Sequence, residues 1–288
     1  MSAARVGESA ATGGKSGTGA EGQTQEAGME STPPPSGEFV QSLARGFAVI
    51  RAFDEQHPQL TLSEVAKRSN LSRATARRFL YTLVTLGYMR TDGRVFGLTP
   101  RVLQLGYAYL SGMRLPQVAE PHLKELSQEV GESTSASVLD GDDVVYIARV
   151  ATRRIMTVGI NVGTRFPAYA TSMGRVLLAF LPPDELAAYL ERVELRALTP
   201  RTITSRSELE AALAAVRDQG WATVDQELEA GLRSVAVPVR GRDGSVVAAL
   251  NVSMRVGLPG EDPHHVEHVL PAALATAKKI SSDLALAP

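Results

Sequence analysis

Residues 60–89 read LTLSEVAKRSNLSRATARRFLYTLVTLGYM, and the fold of the N-terminal part turns on how this stretch divides. Thr61 or Ser63 can cap a short helix with Leu62, Val65 and Ala66 inward, because a hydroxyl at that position satisfies an otherwise free first-turn N–H. Asn70 ends that helix and Ser72 can cap the next. The following residues place Ala76, Phe79, Leu80, Leu83 and Val84 at spacings of three and four, which makes one apolar helical face. Gly87 stops this helix near Leu86. Two helices joined by a tight turn form a helix-turn-helix unit.

Both flanks extend the unit. Upstream, FVQSLARGFAVIRAFDE (39–55) aligns Val40, Leu43, Phe47 and Ile50 on one side of an amphipathic helix, which HPQLT (57–61) breaks. Downstream, YMRTDGRVFGLTP (88–100) alternates around Asp92-Gly93, a strong hairpin-turn signal. Helix, helix, turn, helix and a two-stranded hairpin is the order of a winged helix-turn-helix, predicted over residues 38–101.

Charge is distributed in the same way. The formal net charge is −1, but residues 39–105 hold ten Lys and Arg against four Asp and Glu, a net of +6. Residues 1–38 have two basic and five acidic side chains, a net of −3, which leaves −4 for the remainder. A basic module joined to an acidic one suggests that the module alone meets a polyanion. Residues 1–37 are Gly, Ser, Ala, Thr, Glu and Gln ending in TPPPSG, and predict a disordered tail. The TGGKSG within it lacks both the first glycine of a phosphate loop, where Ser9 stands, and a preceding strand.

The chain of 288 residues has room for about two domains. Cysteine is absent, which excludes disulfides, thiol catalysis and Cys-ligated metals and fits a cytoplasmic protein. No run is long and apolar enough for a membrane span or a signal core. RVLQLGYAYLSGMRL (101–115) predicts a further helix closed by Pro116, a linker over 102–116. Beyond it, hairpins turn at Asp140-Gly141 and Asp243-Gly244, helices are predicted at QVAEPHLKELSQEVGES, from Ser172, and at RSELEAALAAVRDQGW, and a last helix ends the chain. Residues 117–288 therefore predict an α+β domain with an antiparallel sheet.

The helix from Ser72 has an outward set of Ser72, Arg73, Ala74, Thr75, Arg77 and Arg78. A recognition helix lays such residues in the major groove, where Arg pairs with guanine edges. Lys67 and Arg68 can hold phosphates, and Arg94 stands at the hairpin tip, where a wing meets the minor groove. The alternative is a solvated basic face on a small helical domain. In DPHHVEHV, His264, His265 and His268 have helical spacings that two metal ligands could use, but no third ligand is in register, and Asp262-Pro263 reads more simply as a helix start. No metal and no cofactor are expected. No G-x-S-x-G, H-E-x-x-H or G-x-G-x-x-G is present, and an enzyme with an accessory helical domain would need a catalytic set that cannot be assembled.

A binding pocket is the better prospect for the second domain. FPAYATSMGRV (166–176) joins a rigid proline and small residues to a helix N-terminus, whose free N–H groups suit an anion. Ser172 is expected as its cap and Gly174 as a point of close ligand approach. Ser234, Asn251 and Ser253 alternate onto one face of the last hairpin. Buried there they need partners, which a polar ligand can supply; at an exposed edge water would serve.

The sequence resembles the IclR family of bacterial transcriptional regulators over about residues 38–285. The resemblance lies in LTLSEVAKRSNLSRATARRFLYTLVTLGYM, GTRFPAYATSMGRVLLA and GWATVDQELEAGLRSVAVPVRGRDGSVVAALNVS. FVQSLARGFAVIRAF and VDQELEAGLRSVAVP are most similar to the subgroup that controls aromatic-acid catabolism through the β-ketoadipate pathway. The resemblance implies a GAF-like effector domain, dimers that assemble further into tetramers, double-stranded operator DNA as partner, and a small organic acid as effector. It carries effector contacts onto Ser172, Met173, Asp225, Ser234, Asn251 and Ser253. The family's usual DDEE run is here VDQE, with Val224 in place of one acid. From charge alone, Arg149, Arg165, Arg175 and Arg233 are the cations available to a carboxylate.

Overall fold

The computed structural model describes residues 39–54, 56–112, 114–152, 160–256 and 265–286. The chain separates into two compact units between Thr99 and Pro100.

In the first unit, α1 (Gln41–Arg51) precedes β1 (Gln59–Thr61), α2 (Leu62–Arg68), α3 (Arg73–Thr85), β2 (Met89–Thr91) and β3 (Val95–Leu98). Thr61 caps α2 through a full capping box: its side chain accepts from Glu64 N–H, and the Glu64 carboxylate accepts from Thr61 N–H at 2.7 Å. Asn70 takes the left-handed conformation, φ 52°, that turns the chain between α2 and α3, a conformation Asn tolerates better than most residues. Ser72 then accepts from Thr75 N–H at 3.2 Å and starts α3. Ala76, Leu80 and Leu83 are buried from α3, and Leu80 and Leu83 meet Val49, Phe53, Leu60, Val65, Met89 and Phe96 in one core.

Two expectations change here. The wing is three-stranded, in order β1-β3-β2, because Leu60 pairs with Phe96. The three residues of β1 are too few to show alternation in sequence. The core face of α1 also differs: Val49 is buried and Ile50 packs beside it, while Val40, Leu43 and Phe47 are exposed, Leu43 by 61%. These side chains recur at helical spacing, but no described residue of this unit covers them.

The second unit opens with a 3-10 turn, then α4 (Leu103–Gly112) and α5 (Arg114–Val130). Pro116 does not close a helix as expected. It lies in the first turn of α5, where a missing N–H costs nothing. Among the described residues the sheet has six antiparallel strands in the order β6-β5-β4-β9-β8-β7. They are β4 (Ser133–Asp140), β5 (Asp143–Val150), β6 (Arg165–Pro167), β7 (Ala222–Asp225), β8 (Leu232–Arg240) and β9 (Val246–Arg255). Both hairpin turns fall where predicted, with Gly141 and Gly244 at φ 64° and 84°.

α5 and α9 (His265–Leu286) cover one face of the sheet, against Ala136, Val235, Val237, Leu250 and Val252. The other face meets α6 (Ser172–Ala179), α7 (Pro183–Arg192) and α8 (Arg206–Gln219), with Tyr146, Ala236 and Ala249 turned towards them. α6 is buried along its whole length. A fully buried helix shows no amphipathic contrast with solvent, so packing rather than polarity positions it.

Candidate functional site

The first site is the exposed face of α3. Ser72, Arg73, Ala74, Arg77 and Arg78 are exposed and Thr75 is half-buried. Thr75 Oγ1 lies 2.8 Å from Ser72 Oγ, so the two hydroxyls lock the N-terminal turn. The Arg77 guanidinium lies 5.0 Å from the centre of the Tyr81 ring, which fixes its direction one turn along. Lys67 is exposed at the end of α2 and Arg94 at the tip of the wing, where Asp92 Oδ1 accepts from Arg94 N–H and Val95 N–H. Arg68 departs from the expectation. Its Nε donates to Ala52 O at 2.7 Å, and its guanidinium pairs with Asp54 and meets His57 Nδ1. This guanidinium ties α2 to the end of α1 rather than standing free for a phosphate.

The second site lies at the N-terminus of α6. Sheet alternation brings Ser234, Asn251 and Ser253 onto the α6 face, with Ser234 opposite Ser253 in the β8–β9 register. Ser172 Oγ is 2.8 Å from Ser234 Oγ, and Asn251 Nδ2 donates to Ser253 Oγ at 3.0 Å. Asn251 is 3% exposed, and its Oδ1 meets no donor among the described residues. Met173, Tyr146, Ile160, Val224, Leu228 and Leu232 complete the wall of a cavity of about 10 Å³. That is roughly the room one water needs, so any larger occupant must displace a wall. Leu228 comes from the irregular segment between β7 and β8, the wall with the least regular structure, and Leu232 opens β8. Burial pushes the Tyr146 phenol up to about 12, so it stands here as a neutral hydroxyl.

Several predicted residues take other roles. The cap of α6 is Thr171, whose Oγ1 accepts from Gly174 N–H at 3.0 Å. Ser172 is thereby the first helical residue, with its hydroxyl left for Ser234. Gly174 serves packing and not a ligand: a Cβ there would sit 2.0 Å from Ala168 O. Asp225 is not in the cavity wall. Val224 faces the cavity from β7, so the next residue turns to the opposite side of the sheet, where Asp225 pairs with Arg201 and Arg233. Burial alone would raise its pKa, but the Arg233 hydrogen bond and the charges of Arg233 and Arg201 hold it below the usual carboxylate value.

Of the four candidate cations, Arg165 pairs with Asp140 and Asp143 on an exposed edge, and Arg233 with Asp225. Arg175 is buried against Glu227, Nη2 to Oε2 2.5 Å, with side chains 6% and 9% exposed. Glu227 Oε2 also accepts from Ile203 N–H, so this pair ties the segment next to Leu228 onto α6. Arg149 Nη1 donates to Ser135 Oγ at 3.2 Å. The Arg175–Glu227 pair was legible only as two charges far apart in sequence.

His264 lies outside the described residues, and no group of three or more metal-type side chains occurs among those described. A larger open cleft of about 540 Å³, lined by Leu177, Phe180, Pro182, Arg240 and Val246, contains none of the predicted residues. No described helix is long and apolar enough to cross a membrane.

Comparison with known proteins follows the same two-part division. Residues 42–93 match the IclR helix-turn-helix domain, and residues 107–282 match the C-terminal domain of bacterial transcriptional regulator IclR. The chain is 46% identical over 248 residues to the Pca regulon regulatory protein of Pseudomonas putida, covering 86% of this chain and 85% of that one. It is 36% identical to the p-hydroxybenzoate hydroxylase transcriptional activator of Acinetobacter baylyi, over 84% and 91% of the two chains. Among solved structures, a transcriptional regulator from Rhodococcus sp. RHA1 is 57% identical with a TM-score of 0.77, over 86% and 99%. An IclR homologue from Microbacterium hydrocarbonoxydans, complexed with 4-hydroxybenzoate, is 28% identical with a TM-score of 0.74, over 85% and 100%.

Proposed function

The chain belongs to the IclR family of bacterial transcriptional regulators, and we propose that it controls a catabolic operon for aromatic acids, sensing a small organic acid of that pathway in the cavity at the N-terminus of α6. The observation that carries the sensing role is the buried Asn251 Oδ1, an acceptor with no donor among the described residues, beside the Ser172–Ser234 hydroxyls and a helix N-terminus. A ligand with a hydroxyl to donate to Asn251 Oδ1, a carboxylate for the helix N-terminus and an apolar body meets such a wall in full. The names of the relatives, a Pca regulon protein and a p-hydroxybenzoate hydroxylase activator, support an aromatic acid as the type of ligand.

Operator DNA is read by Arg73, Arg77 and Arg78 with Ser72, Ala74 and Thr75 on α3, supported by Lys67 and by Arg94 on the wing. The protein acts by binding and not by catalysis, in the cytoplasm, as a homodimer that pairs into dimers of dimers. The uncovered Val40, Leu43 and Phe47 on α1, and Leu103, Tyr107 and Tyr109 on α4, supply apolar area for self-association. Regulation is linkage: an effector that binds one DNA-compatible arrangement better shifts operator affinity by that difference and no more.

The test is a gel-shift titration on the protein's own upstream DNA, alongside thermal melts with protocatechuate, 4-hydroxybenzoate and β-ketoadipate. A ligand at 100 times its dissociation constant adds about 2.7 kcal/mol to stability. A specific shift with a ligand-dependent change is expected. No response to any of the three compounds overturns the effector assignment, and no specific shift overturns the DNA-binding one.

A further inference from the structure

This inference rests on the effector reading of the α6 cavity and concerns which side chain reads the ligand's far end. In β5, Tyr146-Ile147-Ala148-Arg149 would under strict alternation send Tyr146 and Arg149 to opposite faces of the sheet. The structure breaks that alternation. Ser137 pairs with Tyr146 and Ala136 with Ala148, so Ile147 is the extra residue of a β-bulge. Ile147 and Ala148 both pack into the core beneath α5 and α9, while Tyr146 packs on the α6 side. Arg149 therefore emerges on the same face as Tyr146. Bulges of this kind redirect a side chain, and here the redirected group is a guanidinium.

Its destination is the effector face. Arg149 Nη1 donates to Ser135 Oγ at 3.2 Å, and Ser135 stands opposite both Arg149 on β5 and Asn251 on β9. Desolvation lowers the Arg149 pKa, and its charge is felt by the Tyr146 phenol in the cavity wall. The polar row thus runs Arg149, Ser135, Asn251, then two residues along β9 to Ser253, and across to Ser234 and Ser172.

We propose that Arg149 is a specificity-determining residue of the effector site, binding an oxygen at the end of the ligand remote from the α6 N-terminus. From Ser135 to Ser234 is two strand spacings across and two residues along, on the order of 12 Å between backbones. A benzene ring or six-carbon chain with an oxygen group at each end, hydrogen-bonded at both over roughly 2.9 Å, has that reach. The remote oxygen is a hydroxyl or a second carboxylate; both accept from a guanidinium. Entry of such a ligand moves Leu228, in the irregular segment between β7 and β8, outward.

The experiment is calorimetric titration of the full chain with benzoate, 4-hydroxybenzoate and terephthalate, repeated on Arg149→Gln and Arg149→Lys, with melts of the unliganded proteins to verify folding. The wild type is expected to bind one of the two para-substituted acids at least tenfold tighter than benzoate, and which one identifies the remote group. Arg149→Gln should bring that ratio to near one with benzoate affinity unchanged, and Arg149→Lys should restore part of it. If the wild type discriminates and Arg149→Gln discriminates equally, Arg149 is not the reader. Equal loss of all three ligands makes it a structural residue and overturns the proposal. Binding of none by the wild type overturns the role of Arg149, and the effector reading falls with it only when protocatechuate and β-ketoadipate also fail to bind.

Discussion

Ser172 Oγ and Ser234 Oγ lie 2.8 Å apart, joining the first turn of α6 to β8 across 62 positions of sequence. Each hydroxyl is buried, so each depends on the other or on a ligand for its hydrogen bond. Replacing one by Ala leaves its partner unsatisfied and should cost about 1–3 kcal/mol in urea unfolding. The double replacement should cost less than the sum of the singles. Additive losses would show that the two hydroxyls do not support one another.

Gly174 permits the close approach of Ala168 to α6. The Gly174→Ala methyl would meet backbone atoms, which cannot swing aside as a side chain end can. The expected loss is at or above the top of the usual 1–3 kcal/mol range for overpacking, read as a lowered midpoint of chemical unfolding. An unchanged midpoint would mean that the turn before α6 shifts freely.

Arg68 and Arg73 should separate in their effects. Arg73→Ala should weaken binding at the cognate site by about 1–3 kcal/mol if it reads a guanine edge, with the melting temperature unchanged. Arg68→Ala should lower the melting temperature, since it removes the bond to Ala52 O and the Asp54 pair. Parallel gel shifts and melts check both, and the reverse pattern would exchange the two assignments.

The Arg175–Glu227 pair holds the segment that includes Leu228 against α6. Removing one partner leaves a buried charge unmatched, so Glu227→Gln should destabilise by about 3–5 kcal/mol. It should also loosen the cavity wall, seen as faster hydrogen exchange at the amides of residues 226–231. Wild-type stability in Glu227→Gln would remove this pair as a support of the wall.

Asp225 supplies a pH dependence with a definite sign. Its folded pKa lies below the ordinary 3.8, so its pairing stabilises above that value and is lost as pH falls through the folded pKa. Partial exposure limits the effect to about 0.2–1 kcal/mol. The stability difference between wild type and Asp225→Asn should therefore be present at pH 6 and fade below pH 4. A difference that persists at pH 2 would assign it to packing.

The DNA-binding unit was legible in sequence because its signals are local. Thr61, Asn70, Ser72 and Asp92-Gly93 act within a turn of their own positions, and the helical spacing of Ala76, Leu80 and Leu83 shows directly in the chain. The hairpins of the second unit were legible for the same reason, and with them the shared face of Ser234, Asn251 and Ser253. What escaped was whatever depended on a distant partner. The sequence shows Leu43 and Phe47 as apolar but not that the core of their own unit leaves them exposed. It shows Asp225 beside Val224 but not which of them the sheet turns to the cavity. Five arginines look alike as letters, yet Arg68, Arg165, Arg175 and Arg233 each meet an acid that only the fold brings near, and a single extra residue at Ile147 decides where Arg149 points. Capping and periodicity are set by neighbours along the chain, so the sequence alone determined the elements. Facing, pairing and enclosure are set by neighbours in space, so tertiary structure alone decided the site.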